Sequence, residues 1–246
     1  MRNAMEHILE VKNLNVYYKS ASKTIFAKAS KKQVLYDVNF DVNEGEIFGI
    51  VGESGCGKST LSKAILGMNK LYDGEIIHHS ERPQMIFQDP YSSLNPAWTI
   101  GRILKEPLIL SGVKDKSELS SRVDDMLVRV GLDESYSRRH PSQLSGGQRQ
   151  RISIAAALIA KPRLVIADEP LSALDVTIQA QIMELLLELK KEFGLTYIFI
   201  SHDIDVVYQL CDRIMVMKDG HVVECGETEE LFSAPKEAYT RQLIEG

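Results

Sequence analysis

Glu46-Ile47-Phe48-Gly49-Ile50-Val51-Gly52-Glu53-Ser54-Gly55-Cys56-Gly57-Lys58-Ser59-Thr60 is the stretch on which the fold turns. Its opening residues make a nearly unbroken apolar run, the pattern of a strand buried on both faces. Gly52 to Ser59 then fits the glycine-rich phosphate loop, and Leu61, Ala64, Ile65 and Leu66 follow at helical spacing. Strand, glycine turn and helix in that order are the context this motif requires. A helix start presents unpaired backbone N–H groups and the positive end of a dipole, and glycine lets that backbone approach an anion closely. Backbone amides from Gly52 to Thr60, those of Ser54, Gly55, Cys56 and Gly57 among them, would wrap the phosphates. Lys58 would reach the β and γ groups and the Ser59 hydroxyl would bind magnesium.

A second glycine turn, Leu144-Ser145-Gly146-Gly147-Gln148, also reads as the opening of a helix. One nucleotide needs only one cradle. The second therefore points to a nucleotide held mainly by another copy or a related partner, with ATP in the seam of a dimer.

Outward from these turns the chain alternates strands and helices. Ile8 to Tyr18 and Gln33 to Val42 alternate apolar and polar residues, short strands are expected at Glu75 to His78 and Gln84 to Phe87, and Asp89 to Ala160 has helical spacing with Pro, Ser and Gly breaks. Ile103, Leu104, Leu108 and Ile109 form one candidate helix face there, and Val123, Met126, Leu127 and Val130 another. Strands return at Leu164 to Ala167, Thr196 to Ile200, Arg213 to Lys218 and His221 to Cys225. A helix from Val176 to Phe193 carries Ile178, Ile182, Leu185, Leu186, Leu189 and Phe193 on one side. Such alternation predicts an α/β fold with a mainly parallel sheet covered on both faces.

At 246 residues the chain is long enough for one large α/β core with a sizeable insertion. A net charge of -5 argues against wholesale nucleic-acid binding, though not against a local basic patch. Cys56, Cys211 and Cys225 are odd in number and lack metal or redox spacing, which reads as a reducing, cytosolic setting. Met1 to Glu10 shows no signal-peptide pattern, and the most apolar run, Ile152 to Ala160, falls well short of the ~20 residues that span a bilayer. Any membrane role is expected to come through a partner.

Leu164 to Asp168 is an apolar strand ending in a carboxylate, where Asp168 would hold magnesium through water and Glu169 would polarise the attacking water. A proton acceptor so placed is worth about 10² to 10⁴ in rate. His202 follows a strand through Ser201 at the carboxyl edge where ligands of parallel sheets gather, and is a candidate for the γ-phosphate. Gln88, after the strand ending at Phe87, is a candidate for magnesium or the attacking water.

Gln88, Leu144 to Gln148, Asp168-Glu169, Ser172-Ala173-Leu174-Asp175 and His202 stand in the order of the Q-loop, signature motif, Walker B, D-loop and switch histidine, so the chain resembles the ABC ATPases over nearly its whole length. The resemblance implies a P-loop NTPase (RecA-like) core, an antiparallel β subdomain and an inserted α-helical subdomain. The expected division is one ABC ATPase domain over 1–246: core and β subdomain at 1–88 and 161–230, a helical insertion at 89–160 and a short tail at 231–246. It also implies that Tyr18 stacks on adenine, where the residues alone read a packing or rim tyrosine, and that Asp175 joins the nucleotide contacts.

Phe87 to Pro96, Leu171 to Thr177 and the tail Leu231-Phe232 through Pro235 to Tyr239-Thr240-Arg241 are similar to the ATP-binding subunits of oligopeptide, dipeptide and nickel importers. The chain departs from them in ending at Gly246 without a longer carboxyl extension and in reading Lys236-Glu237-Ala238 where His-Pro before the tyrosine is usual. With the basic loop Lys19 to Lys32, that shorter ending looks more like the second, shorter ATPase of such two-ATPase systems. The implied partners are a second ATPase subunit closing head to tail, two transmembrane permease subunits and an extracytoplasmic solute-binding protein, with no nucleic acid. Ser145, Gly146 and Gly147 of one subunit would cap the γ-phosphate on Lys58 of the other, at the cytoplasmic face of the membrane.

Other readings compete. A DNA-repair, chromosome-organising or translation-factor ATPase would carry long insertions or two ATPase units, and a P-loop kinase would leave Leu144 to Gln148 unemployed. Trp98 reads as packing within the helical insertion or as a dock for a permease helix. Adjacent His78 and His79 point to opposite faces of a strand and make a poor metal pair. Cys56, near Lys58 and a helix start that both lower a thiol pKa, reads either as a tolerated small residue or as a reactive thiol whose alkylation blocks ATP binding and which MgATP protects. The basic segment Lys19 to Lys32 reads as a solvated loop or a contact for lipid headgroups or a partner.

Overall fold

A computed structural model describes residues 6–19, 31–81 and 83–245. In chain order the elements are β1 (His7–Lys19), β2 (Lys31–Asn43), β3 (Ile47–Val51), α1 (Lys58–Ile65), β4 (Tyr72–His78), β5 (Gln84–Ile86), α2 (Pro90–Ser93), α3 (Ile100–Leu110), α4 (Lys116–Arg129), α5 (Gly146–Leu158), β6 (Leu164–Asp168), α6 (Val176–Phe193), β7 (Thr196–Ile200), α7 (Ile204–Leu210), β8 (Arg213–Lys218), β9 (His221–Glu227), α8 (Thr228–Ser233) and α9 (Ala238–Glu245). Most of the basic segment between Lys19 and Lys32 lies outside the described residues.

The described residues up to Glu81 form one compact unit with those from Thr196 onward. At its centre β3 runs parallel to β7 on one side and β8 on the other, with antiparallel β9 beyond β8. Every residue of β3 and β7 is buried, as their continuous apolar runs require. Each large side chain so placed contributes about 1.5–3 kcal/mol. A second, antiparallel sheet has the order β2-β1-β4. Leu9, Val11, Leu14 and Val16 of β1 and Leu35 and Val38 of β2 fill its buried face.

Residues 83–195 form the other unit. β5 and β6 pair in parallel, Ile86 opposite Ala167. Helices α2 to α5 and two 3₁₀ turns, Glu134–Arg138 and Pro141–Gln143, follow the expected helical stretch. Val123, Met126, Leu127 and Val130 are buried as expected, and so are Ile103, Leu104 and Leu108. Ile109 departs from its expected face and is 56% exposed. At 3.6 residues per turn it lies about 100° beyond Leu108, past the edge of the buried stripe. α6 keeps the expected bounds: Asp175 caps its N-terminus, and Gly194 in the left-handed region (φ 64°) ends it after Lys190 and Lys191. This unit includes β6 and α6, which the sequence reading groups with the core; α5 packs against both β5 and α6 and draws them together. Among the described residues no helix is long and apolar enough to cross a membrane.

Candidate active site

The site residues divide between the two units. In the first, β3 leads into Gly52, whose φ of 147° suits glycine and whose added Cβ would lie 2.2 Å from the Met217 carbonyl oxygen. Only glycine fits that turn. Gly57 is the N-cap of α1 in the left-handed region (φ 115°), and no side chain caps the helix. An added Cβ there would lie 2.5 Å from Leu35 Cδ2. The loop is also tied from outside, since the Gly220 N–H donates to the Cys56 carbonyl at 2.9 Å.

Lys58 is only 6% exposed, and its ammonium folds back over the loop. It donates to the carbonyls of Gly52 at 2.6 Å and Glu53 at 3.1 Å and reaches Cys56 Sγ at 3.9 Å. Ser54, Gly55 and Ser59 are exposed, and Thr60 is half-buried one residue along α1. A buried cation within a glycine turn, at a helix start without a side-chain cap, is a cradle that fits a phosphate. β7 is the parallel neighbour of β3, with Ile200 opposite Ile50, so exposed His202 leaves the same carboxyl edge as the phosphate loop. Tyr18, near the end of β1, is 38% exposed.

Cys56 departs from its expectation. The side chain is 5% exposed, and burial pushes its thiol up; the nearby Lys58 ammonium pulls the other way and is outweighed. The desolvated thiolate is the costlier form. His78 and His79 likewise take separate surroundings, His79 Nε2 lying 2.9 Å from Glu10 Oε1.

In the second unit the parallel pairing of β5 and β6 sends Gln88 and Asp168-Glu169 out of neighbouring strand ends. Gln88 Nε2 donates to Glu169 Oε2 at 2.8 Å. Asp168 is buried at the end of β6, while Glu169 has a φ of 46°, a left-handed backbone uncommon outside glycine. Its carbonyl accepts from the Ser172 N–H at 3.3 Å and the Ser172 hydroxyl at 3.1 Å, so the turn after β6 fixes where the carboxylate emerges.

Ser145 is the N-cap of α5 in a reciprocal capping box: the Gln148 N–H donates to Ser145 Oγ at 3.3 Å, and the Ser145 N–H to Gln148 Oε1 at 3.0 Å. Gln148 Nε2 also donates to the Tyr136 hydroxyl at 3.0 Å. Gly146 and Gly147 form the first turn, and a Cβ on Gly147 would lie 2.9 Å from Ile178 Cγ2 of α6. Asp175 Oδ1 accepts from the Ile178 N–H at 3.0 Å. The signature turn and the loop before α6 are thus packed as one piece.

Residues 35–172 match the model of the ABC transporter family. The chain belongs to that family. The ABC chain is 43% identical to the oligopeptide transport ATP-binding protein OppF of Bacillus subtilis, over 97% of its own length and 82% of that protein. It is 44% identical to the glutathione import ATP-binding protein GsiA of Pectobacterium atrosepticum, over 97% of its length but 41% of that longer protein. Among solved structures, the ATP-binding cassette MJ0796 in a dimeric post-hydrolysis state bound to ADP and Pi superposes with a TM-score of 0.75 at 32% identity, covering 89% of this chain and 98% of that one. The expected α/β fold of an ABC ATPase is therefore present, and the family binds nucleotide.

Sequence reasoning on this ABC ATPase missed three contacts. Strand adjacency joins Gln88 to Glu169, and no local pattern marks β5 as the neighbour of β6. Tyr136 sits in a 3₁₀ turn with nothing to point it at Gln148. The close approach of Gly147 to Ile178 gives that glycine a packing reason besides access to phosphate.

Proposed function

We propose that this chain is the ATP-hydrolysing subunit of an importer that takes up peptides or peptide-like solutes, acting as a dimer with a second copy or a related ATPase. The observation that carries hydrolysis, beyond binding, is Glu169 at the end of β6, oriented by Gln88 at 2.8 Å. A carboxylate so held accepts a proton from an attacking water. Lys58 and the amides of Gly52 to Thr60 bind the triphosphate, Tyr18 stacks on adenine, and His202 contacts the γ-phosphate. Ser145, Gly146, Gly147, Gln148 and Asp175 of one subunit close over the nucleotide of the other. Ser59, Gln88 and Asp168 offer oxygen donors of the kind a hard cation takes, so they would hold Mg²⁺, which supplies charge neutralisation at the phosphates.

ATP then acts as a population-shifting ligand, because it binds the closed pair better than the open one. Permeases would carry the chain on the cytoplasmic face of the membrane. The helical unit offers them a cavity of about 710 Å³ bordered by Trp98, Arg102, Lys105, Ile109 and Leu110, with the Arg102 guanidinium 4.0 Å from the Trp98 ring. Peptide cargo is supported by the names of the relatives, which speak of oligopeptides and glutathione; nickel has no such support.

Glu169→Gln tests the hydrolytic role. The variant is expected to bind ATP as tightly as the parent, to accumulate a closed dimer and to lose nearly all turnover. Turnover at the parental rate would remove Glu169 as the water activator.

A further inference from the structure

The C-terminal helix reaches the phosphate loop. Tyr239, in the first turn of α9, places its hydroxyl oxygen 3.2 Å from the Glu53 backbone nitrogen, which donates to it. The Lys218 ammonium, at the end of β8, lies 4.4 Å from the centre of the Tyr239 ring. A cation over the ring face holds the ring's orientation. The entry to α9 is held as well: Lys236 and Glu237 donate their backbone N–H groups to the two carboxylate oxygens of Glu224 on β9, at 3.0 and 3.2 Å.

Tyr239 acts on a peptide that the loop's own lysine also holds. The peptide group joining Gly52 to Glu53 donates its N–H to Tyr239 at 3.2 Å and accepts from Lys58 at its Gly52 oxygen at 2.6 Å; Lys58 also donates to the Glu53 carbonyl at 3.1 Å. Further along, the Cys56 carbonyl is tied to Gly220 at 2.9 Å. Exposed Ser54 and Gly55 are the stretch between these two anchors. A short loop fixed at both ends loses little conformational freedom on meeting an anion, and affinity that would go into ordering it is retained.

We propose that Tyr239 is a positioning residue for the phosphate loop, through which α9, fastened by Glu224, holds the Glu53 peptide in its phosphate-receiving arrangement before nucleotide arrives. Tyr239 touches no phosphate; it acts through the backbone of Glu53. The proposal rests on the reading that this loop binds the phosphates of ATP.

The test titrates MgATP into the full chain by calorimetry, well below the melting temperature, for the parent, Tyr239→Phe, Glu224→Ala, the double variant and Lys58→Ala. Tyr239→Phe keeps the ring and its Lys218 contact and removes only the hydroxyl. One hydrogen bond's worth of loop order should weaken MgATP binding roughly three- to tenfold. KM should rise by a similar factor with kcat unchanged at saturating ATP, which loss of bulk stability would not produce. Glu224→Ala should weaken binding similarly, and the double variant should weaken it no further, because both residues act through one helix. Parental affinity in Tyr239→Phe, with binding lost in Lys58→Ala, overturns the role of Tyr239 and leaves the phosphate loop standing. Fully additive losses overturn the single strut. Parental affinity in Lys58→Ala overturns both readings together.

Discussion

Lys58 and Cys56 sit two positions apart in one loop, and opposite rules govern them. The Lys58 ammonium is buried but satisfied, its donors directed at the carbonyls of Gly52 and Glu53. In the proposed role, an arriving phosphate would join or displace these carbonyls rather than meet a bare cation. Cys56 is buried too, yet burial outweighs the lysine's attraction and its thiol is pushed up. Because the folded pKa is raised, the fold favours the protonated thiol. That contribution to stability is complete below the ordinary thiol value of about 8.5 and is lost as pH rises through the higher folded value. Burial pushes the Cys225 thiol up as well, so the two differ in access: iodoacetamide should label buried Cys56 more slowly than exposed Cys225 at neutral pH, with a rate that keeps climbing above the ordinary thiol range; peptide mass spectrometry reads both sites. Labelling of Cys56 at neutral pH as fast as Cys225 would contradict this. The sequence announces the loop here because glycine spacing and lysine position are local. It misjudges the thiol because burial depends on how the loop packs against segments distant in the chain, among them the Gly220 turn that donates to the Cys56 carbonyl.

At the scale of elements, the packing of α5 on α6 decides what the signature turn can tolerate. Gly147→Ala gains helix propensity of up to about 1 kcal/mol but places a Cβ 2.9 Å from a β-branched side chain. Crowding of that kind costs about 1–3 kcal/mol, so a net destabilisation of about 1 kcal/mol is expected in urea unfolding. The penalty should vanish in an Ile178→Ala background. A Gly147→Ala chain more stable than the parent would show that α5 and α6 do not meet there. Elements with strong local signals were legible: α6 has its apolar stripe, its Asp175 cap and its Gly194 stop, and β7 its continuous apolar run. Pairings between elements were not. Nothing near Gln88 says that β5 lies beside β6, and the three residues of β5 are too few to carry a period. The exposure of Ile109 belongs with these, since the width of a buried stripe is set by what packs against it.

For the whole molecule, the phosphate loop, His202 and Tyr18 belong to one compact unit, and Gln88, Asp168, Glu169, the signature turn and Asp175 to the other. Glycine turns at both Gly52 and Gly146 are the feature that asks for a second subunit. In the account proposed here, the signature turn of one chain completes the nucleotide site of another, and turnover is a property of the pair. The most direct measurement is the ATPase rate per chain as the purified protein is diluted, with light scattering on the same samples reading monomer and dimer, for the parent and Ser145→Arg. The rate per chain is expected to fall with the dimer fraction and to be abolished at every concentration in Ser145→Arg. A strictly monomeric sample that hydrolyses ATP at the full rate, unaltered by Ser145→Arg, would contradict it.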